Sequence, residues 1–186
     1  MELLGSDASA VVEGVEMHSY TPPPPTPATA VHEAAHAVVG LIEGLDLQSV
    51  TVQVPARAAF DLSQSHTIRS YISVSIAGRI GEDRHRRLEA TFFDHELDFW
   101  SHAIAGGTGG SCDECAAMRA VMGALPGATA AEIRAAYREV EAYVIETIRR
   151  PAVWWAISHV ADALIERLTL SGEEVRSIVD RHIDLS

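Results

Sequence analysis

Apolar residues recur at spacings of three and four between positions 29 and 44, which predicts a helix with one buried face. Gly44 lies where such a helix would end. Polar and β-branched residues then alternate over 49–54, before Pro55, and this alternation is typical of a half-buried strand. Residues 56–67 show no clear period. The pattern therefore predicts one strand or small hairpin after the first helix.

The remainder of the chain predicts further helices. Apolar residues four positions apart favour a helix over 68–88, and the aromatic- and histidine-rich segment 89–104 predicts another. Capping-box sequences at Ser111, Thr129 and Ser171, together with a proline suited to a first helical turn, mark four more helix starts. The helices expected from these signals cover 111–125, 129–150, 151–168 and 171–182. The expected fold class is mainly α.

The beginning of the chain differs in composition from the rest. Five of the eight prolines lie between positions 22 and 27, and four in a row favour extended polyproline II. We therefore expect residues 1–28 to form a leader, either a spacer or an arm on the domain, or a docking segment for a proline-reading partner. Residues 29–186 are then the folded domain.

Composition narrows the classes of partner. The net charge of −12 would repel phosphate backbones, which argues against nucleic acid as the main partner. No run approaches the roughly 18 apolar residues that span a bilayer, and the first residues do not resemble a secretory signal. Two cysteines are too few for a disulfide scaffold. These features predict a cytoplasmic protein with no membrane partner.

The first predicted helix contains an H-E-x-x-H motif, at His32, Glu33 and His36. At 3.6 residues per turn, the two histidines share one face of the helix, where both imidazoles can bind one Zn²⁺. Glu33 is rotated by about 100° from His32, so it would lie beside the open metal position. There it can act as a general base on the water that the metal activates. The plainer alternative is a pair of surface histidines beside a solvated glutamate.

A catalytic zinc site needs a third protein ligand, and the residue pattern leaves two sources open. Glu43 shares the face of His36 but lies about 10.5 Å along the helix, too far for the same ion. Asp113 is expected in the first helical turn after the glycine-rich loop 105–110, where helix-terminal amides stabilise a carboxylate. The other source is the histidine-rich segment, whose donors are Asp94, His95, Glu96, Asp98 and His102.

Four segments follow one another in an informative order. The first begins at Thr29 and reads T-A-V-H-E-A-A-H-A-V-V-G, and it is followed by S-V-T-V and a proline. The second begins at Ile76 and reads I-A-G-R-I-G-E, and the third begins at Gly110 and reads G-S-C-D. The fourth begins at Ala163 and reads A-L-I-E-R-L-T-L-S-G-E-E-V. Together they resemble the peptidase domain of FtsH-type zinc proteases. The last three are similar to that family's G-R-x-x-E, G-A-x-N-D and L-T-L-x-G-x-E segments. The resemblance extends from about Thr29 to Asp180.

The resemblance implies a helical FtsH-peptidase-like domain with His32, His36 and Asp113 as zinc ligands and Glu33 as general base. It gives Glu82 a structural role or a place behind the ligands. Peptides or unfolded protein chains are the implied substrates. Because FtsH-type peptidase domains form hexameric rings, a homo-oligomer is also implied.

The chain departs from the family at several points. Cys112 stands where the family has asparagine, and Ala35 replaces the glycine of its zinc motif. The segment 89–104 resembles an insertion that could narrow the cleft or act as a lid. No ATP-binding G-x-x-x-x-G-K-[ST] loop occurs in the sequence. The lone C-x-x-C of Cys112 and Cys115 predicts small buried helix residues, with a Cys112 thiolate in place of Asp113 as a weaker alternative.

These observations predict a stand-alone zinc metallopeptidase that hydrolyses peptides or unfolded chains. Its predicted strand at 49–54, if it were a sheet edge, could pair with an extended substrate. One alternative is a catalytically silent, peptidase-like zinc-binding or assembly module. Another is a peptidase subunit that docks on a separate ATPase. Retention of Glu33 favours the enzyme, because a purely structural zinc site needs no base.

Overall fold

A computed structural model describes residues 24–61, 63, 66–89 and 91–185, and most of the expected leader lies outside them. This part of the chain forms seven helices and three short strands. In order they are α1 Pro27–Ile42, β1 Asp46–Thr51, β2 Arg57–Asp61, α2 Ile68–His85, α3 Asp94–Ala105, α4 Asp113–Ala124, α5 Ala130–Arg149, α6 Pro151–Arg167, β3 Thr169–Ser171 and α7 Gly172–Val179. The mainly helical class is confirmed, together with a small antiparallel sheet. No helix within these ranges is long and apolar enough to cross a membrane.

Side chains that cap the first turn fix most helix starts. The capping boxes expected at Thr129 and Ser171 both form. The box expected at Ser111 is wrong, because α4 starts at Asp113 and its N-cap is Cys112, whose Sγ accepts a hydrogen bond from the Cys115 amide. Helix α1 starts two residues before the expected domain boundary, since Thr26 caps it and a proline occupies its first position.

The sheet corrects two expectations. Its strand order is β2-β1-β3, with both pairs antiparallel, so β1 is the central strand and not an edge. The strand expected at 49–54 lies three residues earlier than predicted. Strand β2 falls in the stretch without a clear period, and its last four residues are all partly buried, so no alternation marks it. Strand β3 is only three residues long.

Helix α1 runs through the middle of the core. Every residue from Ala34 to Leu41 is buried, so α1 has no solvent-facing side along this stretch. It packs against α2 on one side, α6 on another and the sheet on a third. Small residues permit this packing: a Cβ at Gly81 would overlap the Cβ of Ala35, and a Cβ at Gly40 would overlap the Phe60 ring.

Helix α3 starts at Asp94, five residues later than expected. Residues 91–93, just before it, belong to no helix or strand, and there the buried Phe92 donates its amide to Glu141 at 2.7 Å. Leu97 and Trp100 are the buried side chains of α3 itself. The helix packs against α4 and α5.

Candidate metal centre

Two histidines and one aspartate from distant parts of the sequence meet on one side of α1. His32 and His36 lie one turn apart, with their ring centroids 4.7 Å from each other. Oδ2 of Asp113, from the first turn of α4, lies 3.2 Å from Nε2 of His32 and 3.1 Å from Nε2 of His36. The three candidate ligand atoms all lie within 4.8 Å of one another.

This cluster fits a divalent metal ion. Ligands about 2.0–2.1 Å from a tetrahedral ion are separated from one another by about 3.3 Å. The observed separations of 3.1 and 3.2 Å between Asp113 and the two imidazole nitrogens match that value closely. Two imidazoles and one carboxylate also leave the fourth tetrahedral position open, as catalytic sites require.

Hydrogen bonds behind the histidines orient both rings. His32 donates through Nδ1 to Oε2 of Glu82 at 3.1 Å, and His36 donates through Nδ1 to the carbonyl oxygen of Val74 at 2.7 Å. A neutral ring held in this way presents the lone pair of Nε2 toward a metal ion at the centre, whereas a protonated ring donates from Nε2 to Asp113. Glu82 is itself paired with Arg86, at 2.6 Å. Glu82 therefore lies behind the ligands, the arrangement that the sequence resemblance implied.

A glycine lets α2 approach this close to the histidines. A Cβ at Gly78 would overlap Nε2 of both His32 and His36. Any side chain at this position would occupy the place where the candidate ligand atoms converge. The space that the centre requires therefore explains Gly78, the first glycine of the I-A-G-R-I-G-E segment.

The electrostatics of the cluster favour a positive charge at its centre. Burial alone would raise the pKa of Asp113, but hydrogen bonds from His32 and His36 outweigh burial and hold that pKa well below its usual value. Burial acts to lower the pKa of His32, yet Asp113, Glu33 and Glu82 together raise it. The surrounding carboxylates would equally stabilise a metal cation.

Glu33 lies beside the ligand cluster without belonging to it. Glu33 is only 6% exposed, and its Oε2 is buried with no hydrogen-bond partner in the part of the chain that the structure describes. Burial raises the pKa of Glu33, while the two histidines and the Ala58 amide oppose that rise. A buried carboxylate with a free oxygen and a raised pKa is suited to accept a proton.

A cleft of about 280 Å³ opens beside Glu33, His36 and Asp113. Its walls come from β2 and from the first half of α2, and they include the apolar side chains of Phe60 and Tyr71. The strand that borders the cleft is β2, an edge of the sheet formed by the described strands. The edge role expected for 49–54 therefore belongs to β2.

The histidine-rich helix α3 contributes no member of the ligand cluster found in the described ranges. Its three carboxylates form ion pairs with arginines: Asp94 with Arg138, Glu96 with Arg79 and Asp98 with Arg134. His102 contacts a backbone carbonyl of its own helix, and His95 stacks on Phe93. No α3 residue lines the cleft, so the helix neither narrows the cleft nor covers it.

Cys112 does not replace Asp113 either. Its thiol is engaged as the N-cap of α4, and Cys112 is not a member of the ligand cluster found among the described residues. Cys115 is buried, as expected, but Cys112 is exposed.

The structure brings together His32, Glu33, His36 and Asp113, the four residues singled out from the sequence. Sequence reasoning missed the Val74 carbonyl and the Ala58 amide, because backbone groups carry no side-chain signal. A comparison with protein-family models gave no match, and a search of curated proteins gave none. The function proposed below therefore rests on the centre and on the sequence motifs.

Proposed function

We propose that this chain is a zinc-dependent metallopeptidase that hydrolyses peptide bonds of peptides or unfolded protein chains. The observation that carries the proposal is the position of Glu33. Its buried oxygen, which has no hydrogen-bond partner among the described residues, lies beside a cluster of two imidazoles and one carboxylate, and Glu33, His36 and Asp113 line one cleft. A donor set of this kind with one open position is typical of catalytic zinc sites.

His32, His36 and Asp113 would hold the ion. Bound there, Zn²⁺ would lower the pKa of a water molecule and polarise the scissile carbonyl. Glu33 would take a proton from that water and pass it to the departing nitrogen. Burial raises the pKa of Glu33 in the metal-free cluster, and a bound cation would oppose that rise and leave the carboxylate ionised to accept a proton.

Strand β2 would hold the substrate. An extended peptide could add to its open edge by backbone pairing, which tolerates many side chains. The Ala58 amide acts on Glu33, so this strand lies directly against the proposed base. A substrate paired with β2 would therefore present its backbone to the centre.

The contacts of α2 support an FtsH-type peptidase-like domain. Two fixed residues of the family's G-R-x-x-E pattern correspond to Gly78, which leaves room for the histidines, and Glu82, which orients His32. The contacts of each residue with the centre therefore give a physical reason for its place in the pattern. Self-association and a separate ATPase partner remain predictions of the resemblance.

The test compares Glu33→Gln with Glu139→Gln, an exposed glutamate on α5. Labelled unfolded casein serves as substrate, and zinc content is measured by elemental analysis. We expect Glu33→Gln to reduce cleavage by about 10²–10⁴-fold while retaining zinc, because it removes the base and no ligand. Glu139→Gln should cleave as the wild type does, and Asp113→Ala should lose most of its zinc.

Two outcomes would contradict the proposal. Equal cleavage by the Glu33 and Glu139 variants would exclude Glu33 as the base. Zinc bound by the wild type without any cleavage would favour the alternative, a peptidase-like zinc-binding or assembly module.

A further inference from the structure

A second cavity, of about 660 Å³, lies apart from the metal centre. It is formed by the end of α2, the segment that follows it and the last turns of α5. Its floor is aliphatic and consists of Ile80, Leu88, Ile145 and Ile148. Leu88 is 58% exposed and Ile145 is partly exposed, whereas Ile80 and Ile148 are almost fully buried beneath them, so Leu88 and Ile145 form the part of the floor that a ligand could reach. The volume is within the range of small-molecule sites.

Three arginines border this cavity, in a chain whose net charge is −12. Arg84 has no carboxylate partner: it donates to the carbonyl of Ile148 and lies over the Trp154 ring, 4.4 Å from its centroid. The guanidinium of Arg87 has no hydrogen-bond or ion-pair partner among the described residues. Arg149 pairs with Glu146. The cavity wall thus carries more positive charge than its neighbours neutralise, although Glu89 also lines it.

Arg87 is held in a backbone conformation that disfavours it. Its φ is 60°, in the left-handed region. Its amide donates to the carbonyl oxygen of Arg84, and the amide of Leu88 donates to the carbonyl oxygen of Asp83. Helices that end with this pair of hydrogen bonds usually carry glycine at the position of Arg87. An arginine here costs backbone energy that glycine would avoid.

Helix ends explain only part of this charge. Cations near the C-terminal ends of α2 and α5 would stabilise both helix dipoles, and the contact of Arg84 with Ile148 fits that role. Stabilising the helix dipoles does not require an arginine at position 87, the left-handed residue after α2. The arginine at position 87 therefore needs another reason, and the cavity beside it supplies one.

We propose that this cavity binds a carboxylate carried on an aliphatic chain, such as a medium-chain fatty acid. The arginine guanidinium groups would bind the carboxylate, and the aliphatic floor would bury the chain. An acyl chain suits this floor better than a peptide does. A peptide would bring backbone amides into a place where Thr91 is the one uncharged polar side chain of the lining.

The test is calorimetric titration of the full-length chain with octanoate and, as the uncharged equivalent, octan-1-ol. We expect octanoate to bind more tightly, and Arg87→Gly to weaken octanoate binding by about tenfold or more, the effect of losing one charged hydrogen bond. The matched control is Arg69→Gln, at the opposite end of α2, because Arg69 lies over the Tyr143 ring and lines neither this cavity nor the cleft at the metal centre. It should bind octanoate as the wild type does.

Arg87→Gly also separates binding from folding. Glycine relieves the left-handed backbone, so this variant should melt no lower than the wild type while it loses octanoate affinity. Equal affinity for octanoate and octan-1-ol, or unchanged octanoate binding in Arg87→Gly, would overturn the proposal. Tighter binding of the peptide acetyl-Ala-Leu-Leu, with a free carboxylate, than of octanoate would also overturn it and assign the cavity to polypeptide ends.

Discussion

Gly78 offers a direct test of how tightly the helices close around the metal centre. A Cβ at this position would overlap Nε2 of both His32 and His36. In Gly78→Ala, the added methyl group must push α2 away from α1 or displace the two rings. An inserted methyl in a packed interior costs about 1–3 kcal/mol. Alanine in a helix interior also brings a gain of about 1 kcal/mol over glycine. The expected net loss of stability is therefore about 0–2 kcal/mol.

Gly123, in α4, is the matched control, because a Cβ added there meets no atom within 4 Å. Gly123→Ala should gain up to about 1 kcal/mol from helix propensity alone. Thermal melting of both variants without metal measures the difference, at about 2–4 °C for each kcal/mol in a chain of this size. Zinc titration then measures the centre, and we expect Gly78→Ala to bind about 10–100-fold more weakly, as for other losses of ligand positioning.

The reasoning fails if the two glycine variants behave alike. If both melted higher than the wild type and bound zinc equally well, α2 would not lie against the histidines. Weaker zinc binding by Gly123→Ala would show that the stability change itself, and not the contact at Gly78, affects the centre.

Two further substitutions test other contacts. Glu82→Gln should bind zinc about 10–100-fold more weakly, because the neutral amide holds the Nδ1 proton of His32 less strongly than the carboxylate does. Zinc titration measures the affinity, and an unchanged value would show that Glu82 does not orient the ring. Tyr137→Phe should unfold at an equal or higher denaturant concentration, since the Tyr137 hydroxyl is buried with no hydrogen-bond partner among the described residues. A decrease of more than about 1 kcal/mol in the free energy of unfolding would show that the hydroxyl has a partner.

The sequence predicted most helices because local signals determine them. Thr129 and Ser171 begin capping boxes, and the apolar spacing between positions 29 and 44 marks the buried helix. Strand β2 completes the small hairpin that the sequence left open beside a single strand, whereas β3 was not expected. Pairing with β1, and not a local pattern, makes both of them strands. The late start of α3 has a similar cause: a hydrogen bond to Glu141, distant in sequence, holds Phe92 outside the helix.

The candidate site was predictable to different degrees. His32, Glu33 and His36 come from one helical turn, so spacing alone places them together. Asp113 lies 77 positions after His36, and spacing left it open against the donors of the histidine-rich segment. Motif order favoured Asp113, but only the fold shows that the carboxylates of α3 are already engaged by arginines.

Helix α3, which could have narrowed or covered the cleft, instead packs on α4, the helix that supplies Asp113. Its Glu96 also pairs at 2.9 Å with Arg79 of α2, the residue after Gly78. A change at Glu96 should therefore reach the centre through Arg79 and α2. We expect Glu96→Gln to weaken zinc binding measurably and to cost about 1 kcal/mol of stability, since the pair is partly exposed. Glu139→Gln again serves as the control. If Glu96→Gln lost stability but kept full zinc affinity, α3 would support the fold without positioning the metal centre.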